Sequence, residues 1–361
     1  MNASNIKGAL LEYIVRNLLK SCGFTNVKAD NLFSFEQRGL FFVNGKGAAH
    51  DADVIMNPPM QMPFTYPTQL LFECKVYGDS AKLPVVRNAL GLRNDLNDFE
   101  IVTRDTLRER KNNRRASFAV DSRVRYLYQV GVASINDFTK PAIEFATNNK
   151  IPLLSLSWFL GEATIRDFNN INQSLINRFT QSEIENLYKF LKDRDADMND
   201  SQYNNVKDFL SLSSNLFGNI ITESNNLISY FYVGLLETGD MIFLFDSSRR
   251  IDNIINDQRR IKNLNAQIHW NSNRPNLWTL TVTGNSQCIS ETSLDFFLPR
   301  RILNYWKQFN LNKSTALDIK QTFFSKIFVF NHNNNPEAPF SILNIDSEWL
   351  REVRLGLNDI E

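Results

Sequence analysis

The sequence contains few cysteines and few histidines, and neither type is clustered. Three of each occur among 361 residues. Cys22, Cys74 and Cys288 lie far apart and are odd in number, so they predict neither a disulfide framework nor a structural zinc site. We therefore expect a protein of the reducing cytoplasm.

Long apolar runs and an excess of one charge are also absent. No apolar stretch approaches the roughly 18 residues of a membrane span. Charged residues interrupt the apolar positions near the amino terminus, which does not fit the unbroken apolar core of a signal peptide. The 40 Lys and Arg against 39 Asp and Glu give a net charge of +1, so any basic surface for nucleic acid must be local. We expect no membrane association.

Length and composition indicate a folded protein with two domains. The chain is longer than most single cores support, and 43% hydrophobic with 22% charged residues is typical of soluble globular proteins. A polar, asparagine-rich stretch begins near residue 161. These features predict a first domain over residues 1–160, a linker over 161–180 and an α+β domain over 181–361.

Periodicity and turn residues predict the elements of both domains. Apolar spacing favours helices over 5–21 and 82–99, and a capped helix is predicted over 137–149. Strand patterns cover 40–56, 69–77, 125–134 and 150–158. The pair Asn44-Gly45 predicts a hairpin within 40–56, and 125–158 is typical of a β-α-β unit. In the second domain, Thr238-Gly239-Asp240 and a Pro/Asn-rich stretch within 325–345 predict two further hairpins.

Charged side chains occur in strands that otherwise look built for burial. Asp53 lies in HDADVI, and Glu73 and Lys75 lie in FECK. Alternation along a strand places Glu73 and Lys75 on one side, about 7 Å apart, and Cys74 on the other, apolar side. Because removing water from an isolated carboxylate costs several kcal/mol, these groups need a shared partner.

A divalent cation and a phosphate would be such a partner. Two hard carboxylates on adjacent strands suit Mg²⁺ or Mn²⁺, and a neighbouring lysine can orient water or stabilise negative charge. This chemistry serves phosphodiester hydrolysis. An E-x-K triplet alone is weak evidence, since acid and base commonly alternate on an exposed strand face. Glu12, at the border of the apolar arc of the first helix, can reach into such a site or can be solvated.

The order of segments resembles a known family. LLEYIVRNLLKSCGF, GKGAAHDADVI, LLFECKVY and VGVASINDFTKPAIEFATNNKIPLLSL look like the PD-(D/E)xK restriction-endonuclease-like nucleases, closest to their Mrr-like branch, over about residues 5–160. The resemblance implies an α/β core with a mixed sheet between helices. It makes Asp53 the acid ending the second strand, Glu73 the acid of the third strand, Lys75 its basic partner and Glu12 an additional helix carboxylate. All four would be catalytic, with Asp53, Glu73 and Glu12 as metal ligands.

Three neighbouring positions bear on the resemblance. His50 matches a histidine that often precedes the key aspartate, although a structural hydrogen-bonding role is favoured over a ligand role. Ala52 stands where many members have proline, a departure also common among relatives. Asp51 replaces a polar residue such as glutamine and could compete as a ligand.

A local basic surface is predicted between the metal strand and the next core strand. Residues 104–125 carry eight Arg and Lys against three Asp and Glu, a local charge of +5. Such a run is typical of a solvated loop, but here it could reach bound DNA. The predicted DNA-contacting residues are Arg110, Lys111, Arg114, Arg115, Lys46 and Arg87.

These expectations combine into one function and two alternatives. We expect a Mg²⁺-dependent (or Mn²⁺-dependent) endonuclease acting on double-stranded DNA, in restriction or antiviral defence by analogy with the family. A homodimer or a defence partner protein is plausible. The alternatives are a non-catalytic subunit that keeps the nuclease fold to bind nucleic acid or protein, and an RNA-directed nuclease.

Overall fold

A computed structural model describes most of the chain. The described residues are 1–37, 39–61, 65–99, 108, 111, 125–196, 201–211, 215–247, 263–271, 273–283, 292–330 and 340–358. Within these ranges, no helix is long and apolar enough to cross a membrane.

The first part of the chain alternates strands and helices. In chain order its elements are α1 Ala3–Ser21, β1 Thr25–Asn26, β2 Ser34–Gln37, β3 Leu40–Asn44, β4 Ala49–Asp51, β5 Val54–Asn57, β6 Thr68–Lys75, α2 Leu83–Asn97, β7 Leu127–Ser134, α3 Lys140–Asn148 and β8 Leu153–Ser155. The strands form a five-stranded sheet of order β1-β5-β6-β7-β8 and a small sheet of order β2-β3-β4.

The five-stranded sheet is mixed. β5 runs antiparallel to β1 and β6, whereas β6, β7 and β8 run parallel to one another. The predicted β-α-β unit is confirmed as β7, α3 and β8, and the hairpin around Asn44-Gly45 is confirmed as β3 and β4. β8 is shorter than its apolar run, because a 3₁₀ helix begins at Leu156.

The first helix begins slightly earlier than its periodicity predicts. The Asn2 side chain caps it by accepting from the Asn5 N–H at 2.8 Å, which satisfies one of the unpaired donors at a helix start. Gly23, with a φ of +86°, follows its end and turns the chain towards β1. Leu10 and Ile14 are buried against the sheet.

Helices cover both faces of the five-stranded sheet. α1 packs on one face, and the buried side chains there include Phe72 of β6. α2 and α3 pack on the other face around Leu71 and Val130. The core therefore lies in two layers with the sheet between them.

A helical segment follows the sheet and covers α1. Its helices are α4 Glu162–Asn170, α5 Gln173–Ile176, α6 Gln181–Lys192, α7 Ser201–Asn204, α8 Lys207–Ser211 and α9 Leu216–Ile228. α6 and α9 pack on α1, and Phe168, Leu187 and Phe217 are buried in the same cluster as Leu10. The polar composition near residue 161 thus belongs to the exposed sides of helices, and α1 lies between the sheet and this segment.

The remaining chain forms a closed barrel with helices. Its elements are β9 Phe231–Leu236, β10 Met241–Asp246, β11 Asn263–Asn271, β12 Arg274–Thr283, β13 Thr292–Phe297, α10 Arg300–Gln308, α11 Lys313–Phe323, β14 Lys326–Phe330, β15 Phe340–Ile345 and α12 Ser347–Asn358. The barrel order is β10-β13-β12-β11-β15-β14-β9, closed by pairing of β9 with β10.

Both hairpins predicted in this part are confirmed, as β9 with β10 and β14 with β15. Gly239 occupies the first turn with a φ of +76°, a conformation that favours glycine. The barrel interior is filled by apolar side chains including Trp278, Leu280 and Phe296. The chain is therefore a mixed α/β protein, and the closed barrel is a feature that the sequence patterns did not predict.

One lysine is buried where α11 packs on the barrel. Lys320 is 4% exposed, and its ammonium lies 5.9 Å from the ring of Trp278 and 4.9 Å from that of Trp349. Burial lowers the pKa of Lys320 from the usual 10.5 to about 8. Below pH 8 the charged Lys320 therefore lowers the stability of the folded state. This destabilisation disappears as the pH rises towards 10.5.

Replacing Lys320 should stabilise the protein at neutral pH. We expect Lys320→Met to raise the free energy of unfolding by on the order of 2 kcal/mol at pH 7, because the burial penalty exceeds the cation–π attraction of the two tryptophans. The gain should shrink between pH 8 and 10.5. Urea unfolding across this range measures it, with the exposed Lys313→Met on the same helix as control. A gain that does not depend on pH would contradict the expectation.

Candidate active site

Asp53 and Glu73 meet at one end of the β5–β6 pair. The antiparallel register pairs Val54 with Phe72, so Asp53, which immediately precedes β5, lies opposite Glu73. Asp53 thus stands at the start of a strand, two residues after β4, and not at the end of a strand as the resemblance implies. The Cys74 N–H donates to Asp53 Oδ2 at 2.8 Å, which fixes the carboxylate against β6.

Lys75 contacts both acids. Its Nζ lies 2.8 Å from Glu73 Oε2 and 3.6 Å from Asp53 Oδ2. The side chains of Asp53, Glu73 and Lys75 are 18%, 20% and 36% exposed, so the group is partly shielded yet reachable from solvent. The structure thus brings together the three residues that the strand pattern singled out.

The electrostatics of these residues reflect crowding of like charges. The pKa of Glu73 is raised mainly by burial and secondly by the negative charge of Asp53. Burial opposes the charge on Lys75, but Asp53 and Glu73 outweigh it and raise the pKa of Lys75. The two acids therefore favour the charged form of Lys75, and the acids would gain from a second positive charge.

Glu12 is buried beside this group and is not solvated. It is 5% exposed, and its two carboxylate oxygens accept from Lys192 Nζ at 2.9 and 2.7 Å. Burial raises the pKa of Glu12 to about 7, and the charge of Asp53 adds to the rise, whereas Lys192 and Arg16 oppose it. The charges of Glu12 and Asp53 therefore interact, and Lys192, bound to Glu12, is a further residue of the site.

No sequence pattern marks Lys192 as a site residue. It ends α6, 180 residues after Glu12, where a lysine in the last turn is ordinary. Its position is nevertheless fixed by α1. The Arg16 guanidinium donates to the carbonyls of Leu191 and Asp193, and Lys20 Nζ donates to that of Arg194 at 2.6 Å. These cations satisfy carbonyls that a helix end leaves unpaired.

His50 has a structural partner. Its Nε2 lies 2.7 Å from Asp95 Oδ2 on α2, and Asp95 Oδ1 accepts from the Gly47 N–H at 2.8 Å. The bonds to His50 and Gly47 lower the pKa of Asp95. This network ties the β3–β4 hairpin to α2, in agreement with the structural role favoured for His50.

Asp51 is a further acid near the group. It is the last residue of β4, two residues before Asp53. Loss of water around its carboxylate raises its pKa, the charge of Asp53 adds to the rise, and Lys192 and Lys75 oppose it. Asp51 therefore shares its electrostatic surroundings with Asp53, Lys75 and Lys192.

The predicted DNA-contacting residues are only partly described. Lys46 is 69% exposed on the β3–β4 turn, 3.9 Å from Asp98. Arg87 is exposed on α2, with its guanidinium 5.8 Å from the Phe145 ring centroid, and Lys111 is exposed. Arg110, Arg114 and Arg115 lie outside the described residues.

The donor set suits a hard divalent cation. Mg²⁺ is commonly held by one or two carboxylates and completed by water and substrate phosphates, which matches Asp53 with Glu73. Among the described residues, no group of three or more His, Cys, Asp or Glu side chains is arranged to hold a metal ion. Asp53 and Glu73 are the two carboxylates that the structure brings together at Lys75. Glu12 lies beside them but is engaged by Lys192, and Cys74 is buried on the apolar side.

Comparisons with known proteins do not identify a function for this site. No protein-family model and no curated protein matches the chain. Among solved structures, the crystal structure of a protein of unknown function, AF1548, is similar at 15% identity and a TM-score of 0.31, over 61% of this chain and 98% of that one. A likeness at this level assigns neither fold nor function.

The Glu12–Lys192 pair should stabilise the fold in a pH-dependent manner. We expect Lys192→Met to lower the free energy of unfolding by about 3 kcal/mol at pH 8, because it leaves a buried carboxylate without its partner. At pH 5 the loss should be smaller, since Glu12 is then protonated. Chemical denaturation at both pH values measures the effect.

The double variant Glu12→Gln with Lys192→Met is the control, because it removes both charges together. It should recover most of the stability lost in Lys192→Met. Equal losses in the single and double variants would show that Lys192 acts through packing and not through Glu12.

Proposed function

We propose that this chain is a metal-dependent endonuclease that hydrolyses DNA phosphodiester bonds, with a restriction-endonuclease-like core of the PD-(D/E)xK type over residues 5–160. One observation carries the proposal: Asp53 and Glu73, from adjacent strands, converge on the ammonium group of Lys75. The mixed sheet with helices on both faces agrees with such a core.

The proposed chemistry divides among three side chains. Asp53 and Glu73 would hold Mg²⁺ or Mn²⁺, which when bound activates water and neutralises charge on the scissile phosphate. Lys75, as a cation beside both acids, orients the attacking water and stabilises the negative charge that develops on the phosphate oxygens. The Cys74 N–H keeps Asp53 in place throughout.

Glu12 and Lys192 would assist this group through the neighbouring Asp53. Glu12 lies near enough to Asp53 for their charges to interact, so it assists through an intervening water or a second ion. Lys192 keeps Glu12 in position and adds a second cation close to Asp53. We place both residues in the machinery, with Lys192 as a positioning residue.

Double-stranded DNA is the proposed substrate, and restriction or antiviral defence is the proposed setting. Lys46, Arg87 and Lys111 are exposed cations in the half of the chain that carries the acids. Phosphate contacts by such residues give affinity without sequence information. Cleavage of both strands would call for two active centres, and hence for a dimer or a partner protein.

A non-catalytic binding subunit is the second candidate, and one observation favours it. Lys75 pairs with Asp53 and Glu73, and Lys192 pairs with Glu12. These two lysines compensate the three acids without a metal ion. The same fold would then bind nucleic acid or protein without cutting it. The cleavage experiment below separates the two candidates.

Cleavage should require the three converging side chains. With Mg²⁺ present, we expect the wild-type protein to cut plasmid DNA, and Asp53→Asn, Glu73→Gln and Lys75→Met each to lower the rate at least about 100-fold. Asp53→Asn keeps an oxygen that can accept from the Cys74 N–H. A loss of cleavage in this variant would therefore reflect the missing charge and not misfolding. Gel assays with and without EDTA measure the rates.

Glu162→Gln on α4 is the matched control, because it removes an exposed acid outside the site. It should cut like the wild type. If all variants and the wild type behave alike, the enzyme proposal fails and the binding subunit remains. Parallel panels of duplex DNA, single-stranded DNA and RNA decide the substrate, and cleavage of RNA alone would establish the RNA-directed alternative.

Exposed cations should contribute to DNA affinity in a salt-dependent way. In the Asp53→Asn background, which prevents cleavage, we expect Lys46→Ala and Arg87→Ala each to reduce the slope of log affinity against log salt by about 1. Fluorescence anisotropy with a labelled duplex measures the slope. Lys313→Ala, on α11, should leave it unchanged, and a slope unaffected by all three would exclude phosphate contacts at Lys46 and Arg87.

A further inference from the structure

A cavity of about 530 Å³ lies between the five-stranded sheet and the barrel. Both parts of the chain contribute to its walls, as do α3 and α10. Its lining includes Leu70, Gln129, Leu153, Thr147, Phe243 and Leu303. Its volume falls in the usual range for small-molecule sites, and junctions between domains are common places for them.

The walls of this cavity are largely apolar and include aromatic rings. Trp158 and Phe297 line it with their ring centroids 4.3 Å apart and their planes 31° apart. Phe243 also lines it and is stacked on Phe231 at 5.8 Å. Flat rings of this kind accept a planar aromatic ligand by offset stacking or edge contact.

One polar side chain stands out among the walls. Gln129 of β7 pairs through its backbone with Leu70 of β6 and is half-buried. Its carboxamide has no hydrogen-bond partner among the described residues, although the group offers both a donor and an acceptor. The Gln129 carboxamide is therefore available to hydrogen-bond a ligand in the cavity.

The charged side chains in and beside the cavity walls balance. Lys150 and Asp137 line it, and Asp240, which also lines it, is paired with Arg301 at 2.9 Å. Lys150 is exposed and donates to the Thr238 carbonyl at 3.2 Å. Arg301 lies outside the lining but pairs with Asp240, which leaves Asp137 and Lys150 as one anion and one cation in the walls. The cavity therefore has no excess charge to attract a phosphate or an ammonium group and suits a neutral ligand.

We propose that this cavity binds a neutral, planar heterocycle of the nucleobase or nucleoside class, with the ring against Trp158, Phe297 and Phe243 and its donor–acceptor edge on the Gln129 carboxamide. An aliphatic ligand would leave Gln129 unsatisfied, and a nucleotide would bring charge that the opening does not compensate. The proposal stands apart from the nuclease chemistry, since binding needs neither metal nor cleavage.

The test is binding of nucleosides to the full chain without metal. Adenosine, guanosine, cytidine and uridine are each titrated at up to millimolar concentration, with binding followed by calorimetry and by the melting temperature. We expect at least one to bind saturably and to raise the melting temperature. Gln129→Leu, which keeps the size but removes donor and acceptor, should weaken that binding about tenfold.

A second variant, with its own control, tests whether the nucleoside binds in this cavity. Thr147→Phe on α3 fills the cavity and should abolish binding, whereas Asn148→Phe, at the neighbouring exposed position outside the lining, should leave it intact. Circular dichroism confirms that each variant is folded.

Several outcomes would overturn the proposal. They are binding of none of the four nucleosides, equal binding by the Thr147→Phe and Asn148→Phe variants, or nucleoside binding that Gln129→Leu leaves unchanged. AMP binding at least about tenfold more tightly than adenosine would contradict the neutral class. Saturable binding of decanoate in place of nucleosides would assign the cavity to an aliphatic ligand.

Discussion

The balance of charge at the end of β6 is the constraint on which the rest of the structure depends. Three carboxylates, Glu12, Asp53 and Glu73, lie partly or fully out of water, and acids in that situation need compensating cations. Lys75 comes from the same strand as Glu73, but Lys192 comes from a helix far along the chain. The helical segment therefore completes the electrostatics of the sheet.

This requirement explains how the helical segment is attached to the sheet. Lys192 reaches Glu12 only if the end of α6 is held on α1, and Arg16 and Lys20 supply that hold through backbone carbonyls. Apolar packing of α6 and α9 on α1 adds the larger, less directional contribution. On the face of β6 that α1 covers, Phe72 meets Phe243 of the barrel with ring centroids 6.4 Å apart, so the barrel packs against the same layer of side chains.

Local patterns in the sequence predicted several elements of the structure. Periodicity predicted α1 and α2, and turn residues predicted the hairpins at Asn44-Gly45 and Gly239. Alternation in β6 placed Glu73 beside Lys75. These features depend on residues close together in the chain, where spacing dictates geometry.

Features that join distant segments could not be predicted in this way. The parallel pairing of β11 with β15, part of the closed barrel, links residues about Asn265 with those about Asn344. The partners of Glu12 and His50 likewise come from other elements, at Lys192 and Asp95. Nothing local distinguishes such a lysine or aspartate from its solvated neighbours, because only tertiary packing brings the partners together.

The position of α1 between the sheet and the helical segment has a consequence for synthesis on the ribosome. α1 is made before α6, and the lysine that pairs with Glu12 follows 180 residues later. At elongation rates of about 5–20 residues per second this interval lasts roughly ten to forty seconds, during which the apolar surface that α6 and α9 will cover has no native partner. The nascent chain must therefore tolerate an uncovered helix until its second half emerges, and this interval is when molecular chaperones would have most reason to engage it.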